Sequence, residues 1–282
     1  MLATVAQVLA ALEQRNPVRL AADWDSVGLI CGDPDALVER VLLAVDPVQS
    51  VVDEAISGKY SMIITHHPLF LRGVHGVGAV NAKGRLIHAL IGGGIALAAA
   101  HTNADHANPG VSDVLGTLLG LTQMEPIEGS QDEPLATGTG TGRIGILTQP
   151  TTLAEFGALV AELLPATEHG VRIAGSPQTV IRSVAVCGGA GDSLLDSVGT
   201  RADVFVTADL RHHRAQDHLA DGGCALVDVA HWASEWPWLQ HAAQQLVTDL
   251  AKEGKTIIAD CSTTATDPWT AHHVSPALRS GR

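Results

Sequence analysis

The 282-residue sequence predicts an α/β fold built from two similar βαβαβ halves. The first observation is compositional: 46% of the residues are hydrophobic but only 3% are aromatic, and small and β-branched residues dominate. This mixture suits a parallel sheet covered by helices. The second observation is that strand-like and helix-like runs alternate twice along the chain with the same spacing. We therefore expect two related α/β units.

Each half is predicted from runs of strand-forming residues separated by helix-like stretches. In the first half, strands and helices alternate at 41–45, 49–57, 62–65, 81–91 and 95–100. In the second half, they alternate at 183–187, 193–198, 204–207, 211–220 and 225–229. Val45 and Thr65 are separated by the same interval as Cys187 and Thr207, which indicates an internal repeat. The alternative, that any two βαβ units show similar spacing, stays open on this evidence.

The remaining segments set the predicted domain boundaries. Residues 125–142 are rich in Gly, Thr, Pro and acidic residues, which indicates a solvated linker. A small β-α-β insertion is predicted from a strand at 142–147, a helix at 153–164 and a strand at 171–173. A last strand is predicted at 257–260, and the polar tail 262–282 is expected to pack loosely. The predicted units are a first α/β half over 1–124, a linker and insertion over 125–180, and a second half with the tail over 181–282.

Charge and cysteine usage exclude several classes of function. The net charge is −13 and no run of Lys or Arg occurs, so a nucleic-acid partner is not expected. The cysteines, which form no CxxC pair, are interpreted as reduced core residues; they are Cys31, Cys187, Cys224 and Cys261. Residues 1–14 have the pattern of an amphipathic helix rather than a signal peptide, and the apolar stretch 91–100 is too short to span a bilayer. We expect a cytoplasmic protein without a membrane partner.

Polar residues follow the predicted strands at matching positions in the two halves. The second strand of each half is followed by His66-His67 or by Ala208-Asp209. The third strand is followed by His101 and Asp105 in the first half and by His231 and Glu235 in the second, with the same four-residue spacing. Because the carboxyl ends of strands in α/β sheets carry ligand sites, these side chains are candidates for one shared site.

The residue types at these strand ends suit metal ions. Adjacent histidines on an extended strand face opposite ways, so His66 and His67 suit a pair of ions better than a single ion. Pro68 ends the strand and leaves both rings at the sheet edge. His231 and Glu235, at i and i+4, can face one space, and Pro237 is expected near the first turn of their helix. Residues 101–107 are expected to form a loop. Imidazole and carboxylate ligands together favour zinc, manganese or ferrous iron.

Each of these motifs also has an ordinary structural interpretation. A histidine pair before proline commonly forms a hydrogen-bonded turn, and HxxxD or HxxxE occurs often without a metal. Their coincidence at equivalent strand ends carries the prediction. We assign no role to His88, His169 and His241, which are expected at the surface, or to the tail pair His272-His273. The stretch at 187–192 (CGGAGD) matches no phosphate-loop pattern and indicates a tight strand-to-helix turn.

The stretches THHPLF, AHTNAD, GGAGD, VFVTAD and AHWASE, with DWDSVGL near the N-terminus and DPW near the C-terminus, resemble the Nif-three-like family, also labelled GTP cyclohydrolase 1 type 2 homologues. The resemblance implies a Nif-three-like fold, a pair of divalent ions per chain and assembly as a homohexamer. His66 and His231 would serve one ion, His67 and Asp105 the other, and Glu235 would bridge them. His101, Asp209 and His213 match pocket-lining positions, and His101 and His213 are the catalytic candidates.

Metal-assisted hydrolysis is the activity implied by this resemblance. Two divalent ions would activate water against an electrophilic carbon or phosphorus. The family label implies a nucleotide-like substrate, with the imidazole ring of GTP opened and formate lost. The alternative is a non-catalytic metal-binding, scaffold or regulatory oligomer that uses the same ligands. A third possibility, a metal-free α/β module, predicts that a chelator leaves bound metal and stability unchanged.

Overall fold

The computed structural model describes residues 1–129 and 138–273. Residues 130–137 and 274–282, which belong to the predicted linker and to the end of the predicted tail, lie outside the described residues. The strands are β1 (Ala3–Thr4), β2 (Gly28–Cys31), β3 (Leu37–Val38), β4 (Arg40–Ala44), β5 (Met62–Thr65), β6 (Ala96–Ala99), β7 (Leu121–Glu125), β8 (Glu128–Gly129), β9 (Gly140–Thr141), β10 (Arg143–Thr152), β11 (Val171–Ala174), β12 (Val180–Ala190), β13 (Val204–Ala208), β14 (Ala225–Val229) and β15 (Ile258–Cys261).

Helices connect these strands in the βα alternation that the sequence predicts. They are α1 (Val5–Arg15), α2 (Gln49–Ser57), α3 (Ala82–Gly92), α4 (Thr102–His106), α5 (Val111–Leu118), α6 (Leu153–Leu163), α7 (Leu195–Val198), α8 (His212–Ala220) and α9 (His231–Lys252). Short 3-10 helices cover Val18–Leu20 and Asp192–Leu194. No helix within 1–129 and 138–273 is both long enough and apolar enough to cross a membrane.

Within the described residues, two mixed sheets form the framework. The five-stranded sheet has the order β15-β4-β5-β6-β2, in which β2 is antiparallel to β6 and the other neighbours are parallel. The six-stranded sheet has the order β11-β14-β13-β12-β10-β7, in which β12, β13 and β14 are parallel. Each sheet therefore contains one βαβαβ series, β4-α2-β5-α3-β6 or β12-α7-β13-α8-β14.

The two sheets face each other across a shared helical layer. Helix α9 packs against β4 and β15 of one sheet and against β12 and β13 of the other, with α1 and α5 beside it. Side chains alternate along the strands: Met62 and Ile64 face this central core, whereas Ile63 faces the outer core under α2 and α3. In the second sheet, Phe205 faces the outer core with α7. Burial on both faces explains why the parallel strands are almost continuously apolar.

Strand pairing crosses the predicted domain boundaries. Strand β15 belongs to the predicted second half in sequence but pairs in parallel with β4, at the edge of the first sheet. Strand β7, which begins within the predicted first half, pairs with β10 of the second sheet. Strands β10 and β11 of the predicted insertion also join the second sheet, through β12 and β14. The predicted insertion is therefore an extension of the second sheet.

Three local expectations are wrong. Residues 102–106 form helix α4 rather than a loop, because the Asp25 carboxylate accepts a hydrogen bond from the Thr102 backbone N–H at 3.0 Å and supplies the missing cap. Pro237 lies in the second turn of α9, not in the first. The tail is packed over its first residues: Ser262 is 2% exposed, and its hydroxyl donates to Glu54 at 2.6 Å.

Candidate metal centre

The paired histidines at the end of β5 have their rings fixed by oxygen acceptors. His66 donates from Nδ1 to the Ala100 carbonyl at 2.9 Å, and His67 donates from Nδ1 to an Asp46 carboxylate oxygen at 2.7 Å. His66 is buried and His67 is partly exposed. Because each Nδ1 carries the donated proton, the neutral form of each ring presents an Nε2 lone pair to the space between the two sheets.

Two further histidines are fixed in the same way. His231, the first residue of α9, donates from Nδ1 to Asp209 at 2.6 Å. His101 follows β6 and donates from Nδ1 to Asp25 at 2.9 Å. The acceptor in each case is a carboxylate held in the loop or helix-terminal structure next to the ring. A carboxylate behind a histidine orients the ring and strengthens its remaining nitrogen as a ligand.

The buried carboxylate of Glu235 lies at the centre of these rings. Its Oε1 is 3.0 Å from His231 Nε2 and 3.4 Å from His66 Nε2, and its Oε2 is 3.2 Å from His67 Nε2. The Nε2 atoms of His67 and His231 are also 3.2 Å apart. Asp105 approaches from α4, with Oδ1 3.7 Å from His66 Nε2. Side chains from β5, α4 and α9 therefore converge on one point.

The donor atoms fit a divalent cation. His66 Nε2 and Glu235 Oε2 are fully buried, and neither has a hydrogen-bond partner among the described residues. Unpaired polar atoms in such a place carry a large desolvation cost unless a ligand satisfies them. In their neutral forms, the His67 and His231 rings direct their Nε2 lone pairs at each other. A cation or a proton between the two nitrogens removes the repulsion between these lone pairs. Ligand atoms lie within 4.8 Å of one another in two groups: His66, His67 and His101, and His67, His231 and Glu235.

Without a bound cation, burial and mutual charge shift the pKa values of the cluster strongly. Burial acts to raise the pKa of Glu235, but the positive charge of the neighbouring imidazoles outweighs it and brings that pKa well below its usual value. Burial opposes protonation of His67, yet the Glu235 charge and the Asp46 hydrogen bond raise its pKa to about 11. The same balance raises the pKa of His231 to about 9. Burial raises the pKa of Asp105, and His66 opposes this rise.

The structure brings together His66, His67, Asp105, His231 and Glu235, the five residues predicted as ligands. His67 lies beside His231, whereas His66 lies beside Asp105. The two rings point in different directions because their Nδ1 atoms donate to different acceptors. His67 is hydrogen-bonded to Asp46 after β4, whereas His66 is hydrogen-bonded to Ala100 on the side where α4 begins.

The catalytic candidates separate in the structure. The ligand-forming nitrogen of His101 lies within 4.8 Å of those of His66 and His67. His213 is exposed on α8, where its ring contacts His212, and it is absent from the ligand groups found among the described residues. Asp209 is placed at the cluster through its hydrogen bond to His231. His101 therefore lies at the cluster, whereas His213 is not among its ligand groups within 1–129 and 138–273.

Three residues of the site were not assigned by sequence reasoning. Asp46 and Asp25 orient His67 and His101, and Asp46 could have been found because it follows β4 at the same sheet edge. Gly189 lies near the end of β12 with φ of 69°, and a Cβ there would be 2.4 Å from Glu235 Oε1 and 3.0 Å from His231 Nε2. The CGGAGD stretch therefore leaves space beside the ligands, and β12 continues to Ala190 instead of turning early.

A cavity of about 260 Å³ opens onto His67 and His231. The tail contributes residues 266–269 to its wall, and Thr266 donates a short hydrogen bond to Asp46. His169, expected to be a surface residue without a role, also lines this cavity, with Nε2 3.4 Å from Asp228. The cluster is therefore reachable by a small molecule from one side.

His241, which was expected at the surface, is half-buried on α9, and burial lowers its pKa.

Comparison with known proteins identifies relatives across most of the chain. The family model Duf34/NIF3 (NGG1p interacting factor 3) matches residues 3–268. A Streptomyces coelicolor protein named GTP cyclohydrolase 1 type 2 homolog is 47% identical, over 98% of this chain and 97% of its own. A Mycobacterium tuberculosis protein of the same name is 36% identical, over 95% of this chain and 97% of its own.

Solved structures show the same fold. A Bacillus cereus protein related to NIF3 superposes with a TM-score of 0.86 at 24% identity, over 96% of this chain and 99% of its own. A Staphylococcus aureus protein superposes with a TM-score of 0.83 at 30% identity, over 95% of this chain and 99% of its own. With the fold, the extent of the family match and the identity to the curated relatives in agreement, the chain belongs to the DUF34/NIF3 family.

Proposed function

We propose that this protein is a metal-dependent hydrolase with a dinuclear centre of zinc, manganese or iron(II). The ligands are His66, His67, Asp105, His231 and Glu235. The observation that carries the proposal is the buried Glu235 carboxylate, whose two oxygens approach three imidazole Nε2 atoms at 3.0 to 3.4 Å. Its Oε1 lies near His66 and His231 and its Oε2 lies near His67, so Glu235 would be a ligand shared by both ions. When bound, the ions supply Lewis acidity and activate water as a nucleophile at neutral pH.

The protein's own groups support this chemistry by fixing protons and directions. Asp46 and Asp209 hold the Nδ1 protons of His67 and His231, so the Nε2 atoms stay directed at Glu235. His101, held by Asp25, lies at the edge of the cluster, where it can accept a proton from substrate or return one. The cavity beside His67 and His231 favours a hydrolase over a storage protein with a saturated centre, because it gives a substrate access to the ligands.

The name carried by the curated relatives supports a nucleotide-like substrate. For GTP, the reaction would open the imidazole ring of the base with loss of formate. We also propose that the protein works in the cytoplasm and that it forms a homohexamer. Light scattering coupled to size-exclusion chromatography tests the number of chains directly. The rival function, a non-catalytic metal-binding or scaffold oligomer, predicts the same metal content without turnover.

Elemental analysis of the purified protein tests the metal centre. We expect about two divalent ions per wild-type chain and a sharp reduction in Glu235→Ala. Glu162→Ala, at an exposed helical glutamate of α6, is the matched control and should keep the wild-type content. Thermal unfolding of all three proteins separates loss of metal from loss of fold. Equal low metal content in wild type and Glu235→Ala would refute the proposal. Formate release from GTP then distinguishes the hydrolase from the rival function.

A further inference from the structure

A larger cavity lies directly beside the metal-ligand cluster, between α2 and α3. Its volume is about 630 Å³, and it shares Asp46 and His67 with the smaller cavity over the cluster. Pockets of this size are typical of sites for small organic molecules. The shared residues make the two cavities neighbours, with the hydrogen-bonded pair Asp46 and His67 in the wall of both.

The walls of this cavity are apolar over most of their extent. Pro47 and Val48 come from the segment before α2, Leu69 follows the histidine pair, and Leu86 lies on α3. Leu69 and Leu86 belong to the outer core of the first sheet, at 3% and 6% exposure, so this part of the wall is rigid. A rigid apolar wall binds the hydrocarbon or ring portion of a ligand by removing it from water.

The charged groups of the cavity are mostly paired, with one exception. Asp46 accepts hydrogen bonds from His67 and Thr266. Lys83 donates from Nζ to the Leu69 carbonyl at 2.6 Å and lies 5.8 Å from the centre of the Phe70 ring. Arg85 is exposed on α3, and within 1–129 and 138–273 its guanidinium makes neither a hydrogen bond nor an ion pair. A cation without a partner in the wall of a pocket, on a chain of net charge −13, is available to an anionic ligand.

We propose that the cavity between α2 and α3 is the substrate-binding pocket, and that it takes a small organic anion with an apolar body. Arg85 binds the carboxylate or phosphate group, Leu69 and Leu86 contact the apolar portion, and the reacting group extends past His67 to the ligand cluster. This inference rests on the proposed hydrolase function for its reaction. It adds the chemical class of the substrate and names Arg85 as the residue that selects it.

Binding of phenylphosphonate, an anion with an apolar ring and no hydrolysable ester bond, tests the proposal by isothermal titration calorimetry. Inorganic phosphate is the matched ligand without an apolar body. We expect phenylphosphonate to bind the wild-type protein at least about tenfold more tightly than phosphate, and Arg85→Gln to weaken phenylphosphonate binding at least about tenfold, as for a lost charge-assisted hydrogen bond. The control is Arg182→Gln, which changes an exposed arginine near the start of β12 in the six-stranded sheet. This variant should bind phenylphosphonate like wild type.

The controls separate this inference from the proposed function. Unchanged phenylphosphonate affinity in Arg85→Gln, or equal affinity of the wild type for phosphate and phenylphosphonate, would overturn the pocket assignment. Metal content is measured on the same samples. If the wild-type protein holds metal but Arg85→Gln binds phenylphosphonate equally well, the pocket assignment alone is refuted. If the wild-type protein holds no metal but Arg85→Gln binds phenylphosphonate more weakly, the anion pocket is supported and the hydrolase proposal is refuted.

Discussion

The Asp46 carboxylate accepts a hydrogen bond from Nδ1 of His67 at 2.7 Å, and this contact decides where the other ring nitrogen points. Asp46 follows β4, whereas His67 follows the neighbouring strand β5, so the contact joins two adjacent strand ends. It makes His67 face α9, where Glu235 and His231 lie. Asp46 is therefore a positioning residue for a proposed ligand.

Removal of this carboxylate should weaken metal binding without unfolding the protein. For Asp46→Ala we expect metal affinity to fall about 10-fold to 100-fold, the usual cost of losing a group that orients a ligand histidine. A competition titration with a chromophoric chelator measures the change. Asp53→Ala is the matched control, since Asp53 is exposed on α2 and accepts a hydrogen bond from the Gln49 side chain. Equal affinity in the two variants would contradict the role of Asp46.

Addition of one methyl group at Gly189 should block the centre. In Gly189→Ala the new Cβ would lie 2.4 Å from Glu235 Oε1, so we expect most bound metal to be lost in elemental analysis. Gly120→Ala is the control, because Gly120 also has a positive φ, of 81°, but has open space around its Cβ position. Both variants should lose about 1 kcal/mol of stability from backbone strain. Full metal content in Gly189→Ala would show that the space beside Glu235 is not needed.

Metal binding should release protons and weaken in acid. The pKa of His67 is raised to about 11 and that of His231 to about 9. Both rings are therefore imidazolium cations, protonated on both nitrogens, at neutral pH when no metal ion is bound. A cation must displace those protons, and a falling pH strengthens the competition. We expect the apparent affinity for zinc to fall from pH 9 to pH 6. Calorimetry in buffers with different ionisation enthalpies should show net proton release; a binding enthalpy independent of the buffer would contradict it.

A buried ion pair away from the ligands should govern stability. Arg143 is 1% exposed; it donates from Nε to Asp113 at 2.7 Å and from its other nitrogens to the carbonyls of Ala107, Gly140 and Gly142. For Arg143→Met we expect a loss of about 3–5 kcal/mol in the free energy of unfolding, because Asp113 and these carbonyls are left unpaired. Urea denaturation measures the loss. Arg182→Met, at an exposed position, should change stability by less than about 0.5 kcal/mol.

The fold class and the residues of the cluster were accessible from the sequence because each rests on a local pattern. Apolar runs identified the parallel strands, and the histidines and carboxylates follow those strands immediately. The carboxyl ends of neighbouring strands must meet at one edge, so the convergence of His66, His67 and Asp105 follows from the topology. The approach of His231 and Glu235 required the equivalence of the two halves, which the constant spacing indicated.

The features that the sequence did not predict depend on contacts between distant segments. Helix α4 is capped by Asp25, which lies far from Thr102 in sequence. The ring directions of His66 and His67 depend on acceptors that follow two different neighbouring strands, so these directions could not be read from spacing. The tail packs because Ser262 and Thr264 reach Glu54 on α2, a contact without a local signal. The exposed position of His213 likewise depends on how α8 packs.

The position of β15 has a consequence for biosynthesis. Its partner β4 leaves the ribosome well before it, because β15 follows all strands of the second sheet in the chain. Until β15 arrives, the nascent chain presents the backbone donors and acceptors of β4 as an unprotected edge, a surface that invites mispairing between copies. Correct maturation of the first sheet is therefore tied to late synthesis, and truncation before residue 258 should yield a chain that depends on chaperones.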